Sequence, residues 1–308
     1  MNSLEDPLIW WNGRYERLTR VRIHPLDRGF QFGDGVFETI RVQKGRPIFL
    51  QDHLERLTLS LKALGFALRP EYFPWVNARG ERVETKNVEK IIDHLIEVNS
   101  LSGCICRVKV LVSRGVVEGL SLPEPTKPTV LIMAFQYCPP DPDVYDHGWD
   151  IITVKDIFTP YLARYKVTSY LGYLVAKNCA VKEGSAEALL VDRSGNISEG
   201  ASSSILVRKD GRWVEPLTEW KLPGVTIRHV ARILSTMGHE VTSQPVGVSD
   251  LYKCETIWLM NSMAGVMPVR TIDHRRVPDL KKDLAASIRK TMFGRVEFRV
   301  TQKPKGAF

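Results

Sequence analysis

A lysine that acts as a nucleophile must be available as the neutral amine, and partial burial supplies that form. Most lysines are solvated surface residues, and Lys177 and Lys182 read that way. Lys166 has a different setting. Tyr165 and Val167 flank it, Tyr170 follows four residues on, and a Leu-, Val- and Ala-rich stretch comes next. Thirty-three residues beyond Lys166 the chain reads SEGASSS, placing Glu199 before Gly200, Ala201, Ser202 and Ser203. Small residues let backbone approach an anion, to which N–H and hydroxyl groups then donate. A carboxylate beside such a seat can hold a ring nitrogen protonated, which strengthens the ring as an electron sink.

Four further stretches carry chemistry in combination. HPLDRGFQFGDGVFETIRV (24–42) has a tight turn at Gly33, Asp34 and Gly35, followed by a strand with Phe37 and Thr39. In HLERL (53–57), Arg56 faces away from Leu54 and Leu57, as a surface residue or an anion clamp. In LPGVTIRHV (222–230), Gly224, Val225 and Thr226 open a helix, whose N-terminus is a natural phosphate seat. MNSMAGVMPV (260–269) is a small-residue loop after a strand, with Ser262, Met263 and Ala264 at its turn. Arg107 and Lys109 share one strand face, either as a surface pair or as charge offered to an acidic substrate.

These residues need elements to position them. Strands are predicted at 8–11, 36–43, 105–113, 129–135, 150–155, 187–192, 204–208 and 255–260 from apolar runs and alternation. Helices are predicted at 52–68, 88–98, 169–183 and 225–237. In the first, Leu54, Leu57, Leu61 and Leu64 recur at helical spacing and Gly65 marks the end. Residues 69–87, with two prolines and Trp75, read as a polar excursion that covers a pocket or forms a mobile loop. CPPDPDVYDHG (138–148) is the best linker, since its prolines and aspartates resist core burial. The expected organisation is therefore a small α+β domain over 1–137, a linker over 138–148 and a larger domain over 149–308. Strands and helices mix without a strict βαβ repeat.

The 308 residues carry a formal charge of +8, scattered and interleaved with acids, with no dense basic block. Nucleic-acid binding is not expected. No apolar run reaches transmembrane length, and the start, MNSLEDPLIWW, lacks the basic and apolar regions of a signal peptide. Five cysteines without a CxxC pair read as free thiols of a reducing cytoplasm.

Taken together and in this order, from about Asn12 to Val269, the motifs resemble the class IV aminotransferases, the fold-type IV pyridoxal-phosphate enzymes. That family includes branched-chain aminotransferase, D-amino-acid aminotransferase and aminodeoxychorismate lyase. DRGFQFGDGVFE and SEGASSS are the most specific stretches. The resemblance implies a small α+β domain and a larger one with a barrel-like mixed sheet. It also implies pyridoxal 5'-phosphate as cofactor, no metal, small amino and keto acids as substrates, and a homodimer. Lys166 would then form the Schiff base and shuttle the proton, and Glu199 would pair with the pyridine nitrogen. Arg56 would bind the phosphate with Val225 and Thr226, Ser262 and Met263 would complete the phosphate and carboxylate region, and Tyr170 would lie near the ring's phenolic oxygen.

The chain departs from the family pattern at several positions. GVTIR stands where GITR is common, displacing Arg228 by one residue, and Phe37 replaces a common tyrosine. Gly119 and Ser121 occupy the place of the Arg and His of D-specific enzymes. Thr39 stands where branched-chain enzymes carry glycine and lyases a threonine, and NSMAGVMPV also resembles the lyase version. A branched-chain-type amino-acid transaminase is the favoured expectation. The lyase is the runner-up, and a D-amino-acid enzyme or an inert cofactor-binding relative is less favoured.

Overall fold

A computed structural model describes residues 6–124, 127–155 and 161–294. Before residue 137 the chain builds one antiparallel sheet. Its strands are β1 (Leu8–Trp11), β2 (Arg14–Arg17), β3 (Gly35–Gln43), β4 (Arg46–Pro47), β5 (Cys106–Ser113) and β6 (Thr129–Gln136), in the order β2-β1-β6-β5-β3-β4. Helix α1 (Arg28–Phe32) packs on β5, α2 (Leu50–Ala63) on β3, and α3 (Lys86–Val98) on β1 and β6.

Alternation in β5 explains the two faces of this sheet. Cys106, Val108, Val110 and Val112 are fully buried toward α2 and α3, while Arg107, Lys109 and Leu111 stand on the other face. That other face looks toward the second half of the chain.

After residue 149 a mixed nine-stranded sheet curls into a half-barrel. Its strands are β7 (Trp149–Val154), β8 (Glu187–Val191), β9 (Ile197–Gly200), β10 (Ser204–Lys209), β11 (Arg212–Pro216), β12 (Val241–Gln244), β13 (Thr256–Asn261), β14 (Gly265–Ile272) and β15 (Arg275–Arg276). The order is β12-β11-β10-β13-β14-β7-β8-β9, with β15 on β14. A short helix, α4 (Pro142–His147), precedes this sheet. The others are α5 (Leu171–Lys182) on β7 and β8, α6 (Val225–Thr236) on β13, α7 (Val248–Leu251), and α8 (Lys282–Phe293) on β14.

Most predicted elements are found within a residue or two. The helix expected over 52–68 ends sooner, at Ala63, because the chain turns at Gly65 with φ +76°. The 138–148 segment is not irregular throughout. Pro142 opens α4, and buried Tyr145 donates its hydroxyl to the Ala264 carbonyl at 2.8 Å. Residues 69–87 are neither a lid nor a loose loop. Phe73 and Trp75 are fully buried in the core under α2, and the Trp75 indole N–H donates to Thr58 Oγ1 at 3.2 Å. All five cysteines are free. Among the described residues no helix is long and apolar enough to cross a membrane.

Candidate active site

Lys166 lies where the two halves of the chain meet. The Phe37 amide donates to the Lys166 carbonyl at 2.8 Å and the Thr168 amide to the Gly35 carbonyl at 2.9 Å, so residues 166–168 add to the edge of β3. Gly35 suits this crowded position, because a Cβ there would sit 3.0 Å from Thr168 Oγ1 and 2.4 Å from the Val112 carbonyl oxygen of β5. The half-buried Lys166 amine stands 4.7 Å from the centroid of the Phe37 ring. Burial, and after it the Arg56 guanidinium, pushes its pKa down to about 8.

A cavity opens beside that amine, lined by residues from both halves. Arg56, Tyr170, Glu199, Ser202 and Ser203 border it, as do Val225, Thr226 and Ser262. Phe37, Thr39, Arg107, Lys109, Met263 and Ala264 do not line it. Phe37 meets Tyr170 edge-on at 5.6 Å, and Thr39 lies opposite Lys109 in the ladder, so these residues form the adjoining sheet face.

One end of the cavity is built for an anion. Helix α6 starts at Val225 with no side chain capping it, leaving its first amides to whatever occupies the cavity. Gly224 lets the turn before α6 pack closely, since a Cβ would meet Ser204 Oγ at 2.4 Å and Ile227 Cγ2 at 2.9 Å. Arg56 reaches the same corner from α2 and is not a surface residue. Its Nε and Nη2 donate to the two Glu38 carboxylate oxygens at 2.6 and 2.8 Å, and Nη1 donates to the Pro223 carbonyl at 3.0 Å. Burial opposes the charge on Glu38, yet Arg56 and His53 hold it ionised far below the ordinary carboxylate range. His53 Nδ1 faces Glu38 at 2.7 Å, so the cavity-lining ring leaves Nε2 buried without a hydrogen-bond partner among the described residues.

The other end holds the acid. Glu199 Oε1 accepts the Tyr173 hydroxyl at 2.8 Å, and Oε2 accepts the Leu222 amide at 3.2 Å. Burial raises Glu199 to about 7 even against these two donors and the charge of Lys166. Tyr173 stacks on Tyr170 at 4.6 Å.

An anion seat, a reactive amine and a buried carboxyl in one cavity fit the phosphate, aldehyde and ring nitrogen of a phosphorylated pyridine aldehyde. The orphaned His53 Nε2 and the uncapped α6 are the observations that make the fit. A family model for class IV amino-transferases matches residues 35–272. The chain belongs to the class IV aminotransferases. Curated relatives include the aminodeoxychorismate lyase of Bacillus subtilis, 28% identical over 86% of this chain and 87% of its own. The branched-chain-amino-acid aminotransferase of Salmonella typhimurium is 26% identical over 89% of this chain and 87% of its own. The fold matches a branched-chain amino acid aminotransferase from T.th., solved with N-(5'-phosphopyridoxyl)-L-glutamate. The TM-score there is 0.81 at 24% identity, over 95% of this chain and 96% of that one.

Within this class IV frame several expected roles take a different geometry. Ser202 and Ser203 border the cavity, but both hydroxyls donate to buried Glu187, behind the strand turn. Tyr170 donates its hydroxyl to the Ala201 carbonyl at 2.6 Å. The Met263 and Ala264 amides both donate to Asn261 Oδ1, at 3.0 and 2.8 Å. Arg41 donates to the Met263 carbonyl, and Ser262 Oγ to the Thr39 carbonyl at 2.7 Å, so β3 fixes that loop from outside. Arg228 pairs with Asp52 on the surface at 3.2 Å, away from the cavity. Gly119 and Ser121 offer no side chain charge; their carbonyls accept from Arg28, which also pairs with Asp34 at 2.7 Å.

Sequence reading missed Glu38, His53 and Tyr173. Glu38 and His53 lie inside motifs already singled out, and the polarity of two residues on otherwise buried faces was the available signal. Tyr173 had only its helical spacing from Tyr170.

Proposed function

We propose that this chain is a pyridoxal-phosphate-dependent transaminase that moves an amino group between an amino acid, of branched-chain type, and a 2-keto acid. The observation that carries this reading is the Lys166 amine, pushed down to about 8, between an anion seat and the Glu199 carboxyl. When bound, the cofactor supplies an aldehyde carbon for amines and a ring that draws electron density from the substrate Cα. Lys166 Nζ would carry a proton from the substrate Cα to the carbon of the cofactor's aldehyde group, which its lowered pKa suits near neutral pH. Arg56 and the Val225 and Thr226 amides take the phosphate, and Glu199 holds the ring nitrogen's proton. The branched-chain-amino-acid aminotransferase relative supports the transaminase chemistry, and the solved structure supports the fold that carries it.

Lys166→Ala tests it. With added cofactor the variant should lack the wild-type visible absorbance band and lose at least about a thousandfold in turnover. A variant that kept band and turnover would show that another residue does the work.

Thr39 supports a second reading. Its position on the face beside Phe37 and Lys166 suits a hydroxyl that assists loss of pyruvate, as in an aminodeoxychorismate lyase. Assays of glutamate or alanine with branched 2-keto acids, set against release of pyruvate and 4-aminobenzoate from aminodeoxychorismate, separate the two. Turnover of aminodeoxychorismate alone would reverse the ranking.

We further propose a homodimer in which each cavity is completed by the neighbouring copy. Leu120 is 90% exposed and Phe30 77%, with Leu26 and Phe32 also exposed. Arg28 ties these two apolar segments side by side through Gly119 and Ser121. Such a patch on one surface needs a partner.

A further inference from the structure

We propose that Asp52 and His229 are positioning residues for the cofactor's phosphate, because their contact across the two halves of the chain sets Arg56 in register with the first amides of α6. The inference rests on the cofactor reading above and adds to it what holds the anion seat together before the anion arrives.

The seat is made of two pieces that belong to different halves. Arg56 comes from α2, and the Val225 and Thr226 amides come from α6. The Glu38 pair ties Arg56 to β3, in its own half, and leaves its distance from α6 unset. Side chains between the two helices set that distance. His229 Nε2 faces Asp52 Oδ2 at 2.9 Å, and Arg228 Nη2 reaches Asp52 Oδ1 at 3.2 Å. Asp52 lies one turn of α2 before Arg56, and His229 one turn of α6 after Val225, about 6 Å of helix in each case. Equal offsets in opposite directions bring Arg56 level with the start of α6, where its Nη1 donates to the Pro223 carbonyl at 3.0 Å.

The imidazole is held on its face as well. The Phe49 ring stacks on it, with centroids 3.5 Å apart and an interplanar angle of 5°. Phe49 precedes α2 in the left-handed conformation, at φ 54° and ψ 35°. A residue with a Cβ keeps that strained conformation where its surroundings fix it. Ile48 and Phe49 pack against the core cluster that includes Ile227, Val230 and Leu234 of α6, so the entry to α2 is anchored on the other half of the chain. The Asp52 and His229 side chains are 20% and 17% exposed, against 45% for Arg228. The histidine contact is therefore the shielded one, and the arginine contact is weakened by solvent. Burial opposes the charge on Asp52, yet His229, then Arg228 and Arg232, hold its carboxyl below the ordinary range.

The experiment titrates the apoprotein of wild type, Asp52→Asn, His229→Phe and the double variant. The probes are pyridoxal phosphate, unphosphorylated pyridoxal and inorganic phosphate. His229→Phe keeps a ring to stack on Phe49 and removes the hydrogen bond. Each single variant should weaken pyridoxal phosphate and inorganic phosphate about tenfold, the range of one hydrogen bond to a charged group, while pyridoxal stays within about threefold. The double variant should lose no more than either single one, because both substitutions break the same contact. The phosphorus resonance of bound pyridoxal phosphate should move in all three variants, a response that a general loss of stability would not produce. Equal weakening of pyridoxal phosphate and pyridoxal, additive losses, or an unchanged phosphate affinity would overturn the assignment. Amino donors added to the loaded wild type keep the transaminase reading separate. If its visible band never responded to them, that reading would fall, while the inorganic-phosphate titrations would still decide Asp52 and His229.

Discussion

At the scale of single residues the site works by setting two protonation equilibria against burial. For Lys166, burial disfavours the ammonium, so the neutral amine appears around pH 8 and not near the ordinary 10.5. Capture of pyridoxal phosphate by the apoprotein, followed by growth of the visible band, should accelerate with pH along a curve centred near 8. A curve still climbing toward 10.5 would contradict the buried amine. The same shift has a stability sign. Between about 8 and 10.5 the unfolded chain binds more protons than the folded one, so this lysine's contribution to stability rises with pH across that window. The apoprotein of Lys166→Met should therefore melt higher than wild type at pH 7, by a margin that shrinks toward pH 10.5. For Glu199, the Tyr173 hydroxyl is the leading force holding the carboxyl down. Tyr173→Phe should move that carboxyl above 7 and weaken cofactor binding about tenfold, the worth of one hydrogen bond to a charged group, as read by cofactor titration.

At the scale of elements, α2 and β3 act as a unit. Leu54, Leu57 and Leu61 bury one stripe of α2 against the sheet, and the same packing drives His53 and Arg56 onto Glu38. The leucine stripe was legible from spacing alone. The burial of the neighbouring polar residues was not, because it depends on Glu38 arriving from β3, a contact that no local period encodes. β5 is the opposite case, since its valine alternation stated both faces outright. Trp75 was illegible for a similar reason. It lies among prolines and charges, and only Thr58 on another element gives its indole a partner. Glu38→Ala should cost about 3–5 kcal/mol in chemical denaturation, because Arg56 would remain buried without its counter-ion. It should also weaken pyridoxal phosphate more than unphosphorylated pyridoxal. Equal loss for both would place Arg56 away from the phosphate.

At the scale of the whole molecule, motif order predicted the fold and two-sheet layout, while the exposed apolar patch emerged only in three dimensions. Leu26, Phe30 and Phe32 lie on one stretch and Leu120 on another, and Arg28 holds the two stretches together through the Gly119 and Ser121 carbonyls. Phe30→Glu combined with Leu120→Glu should shift sedimentation from dimer to monomer and reduce turnover at least tenfold, a loss expected if the partner completes the cavity. A monomeric variant with full activity would show that one chain suffices.

The pairing of residues 166–168 with β3 has a consequence for the chain's life before folding is complete. Thr168 also donates to the Gly33 carbonyl, 135 residues away in sequence. Contacts of that separation close late, after the local hairpins and helices. Until then Lys166 is a solvated ammonium with an ordinary pKa, almost wholly protonated at neutral pH and no more reactive toward aldehydes than any other lysine. Its reactivity is therefore acquired rather than carried. A nascent or half-folded chain passes among cellular carbonyl compounds without a marked lysine, and the amine awakens only when the two halves dock and the cofactor's seat exists to receive it.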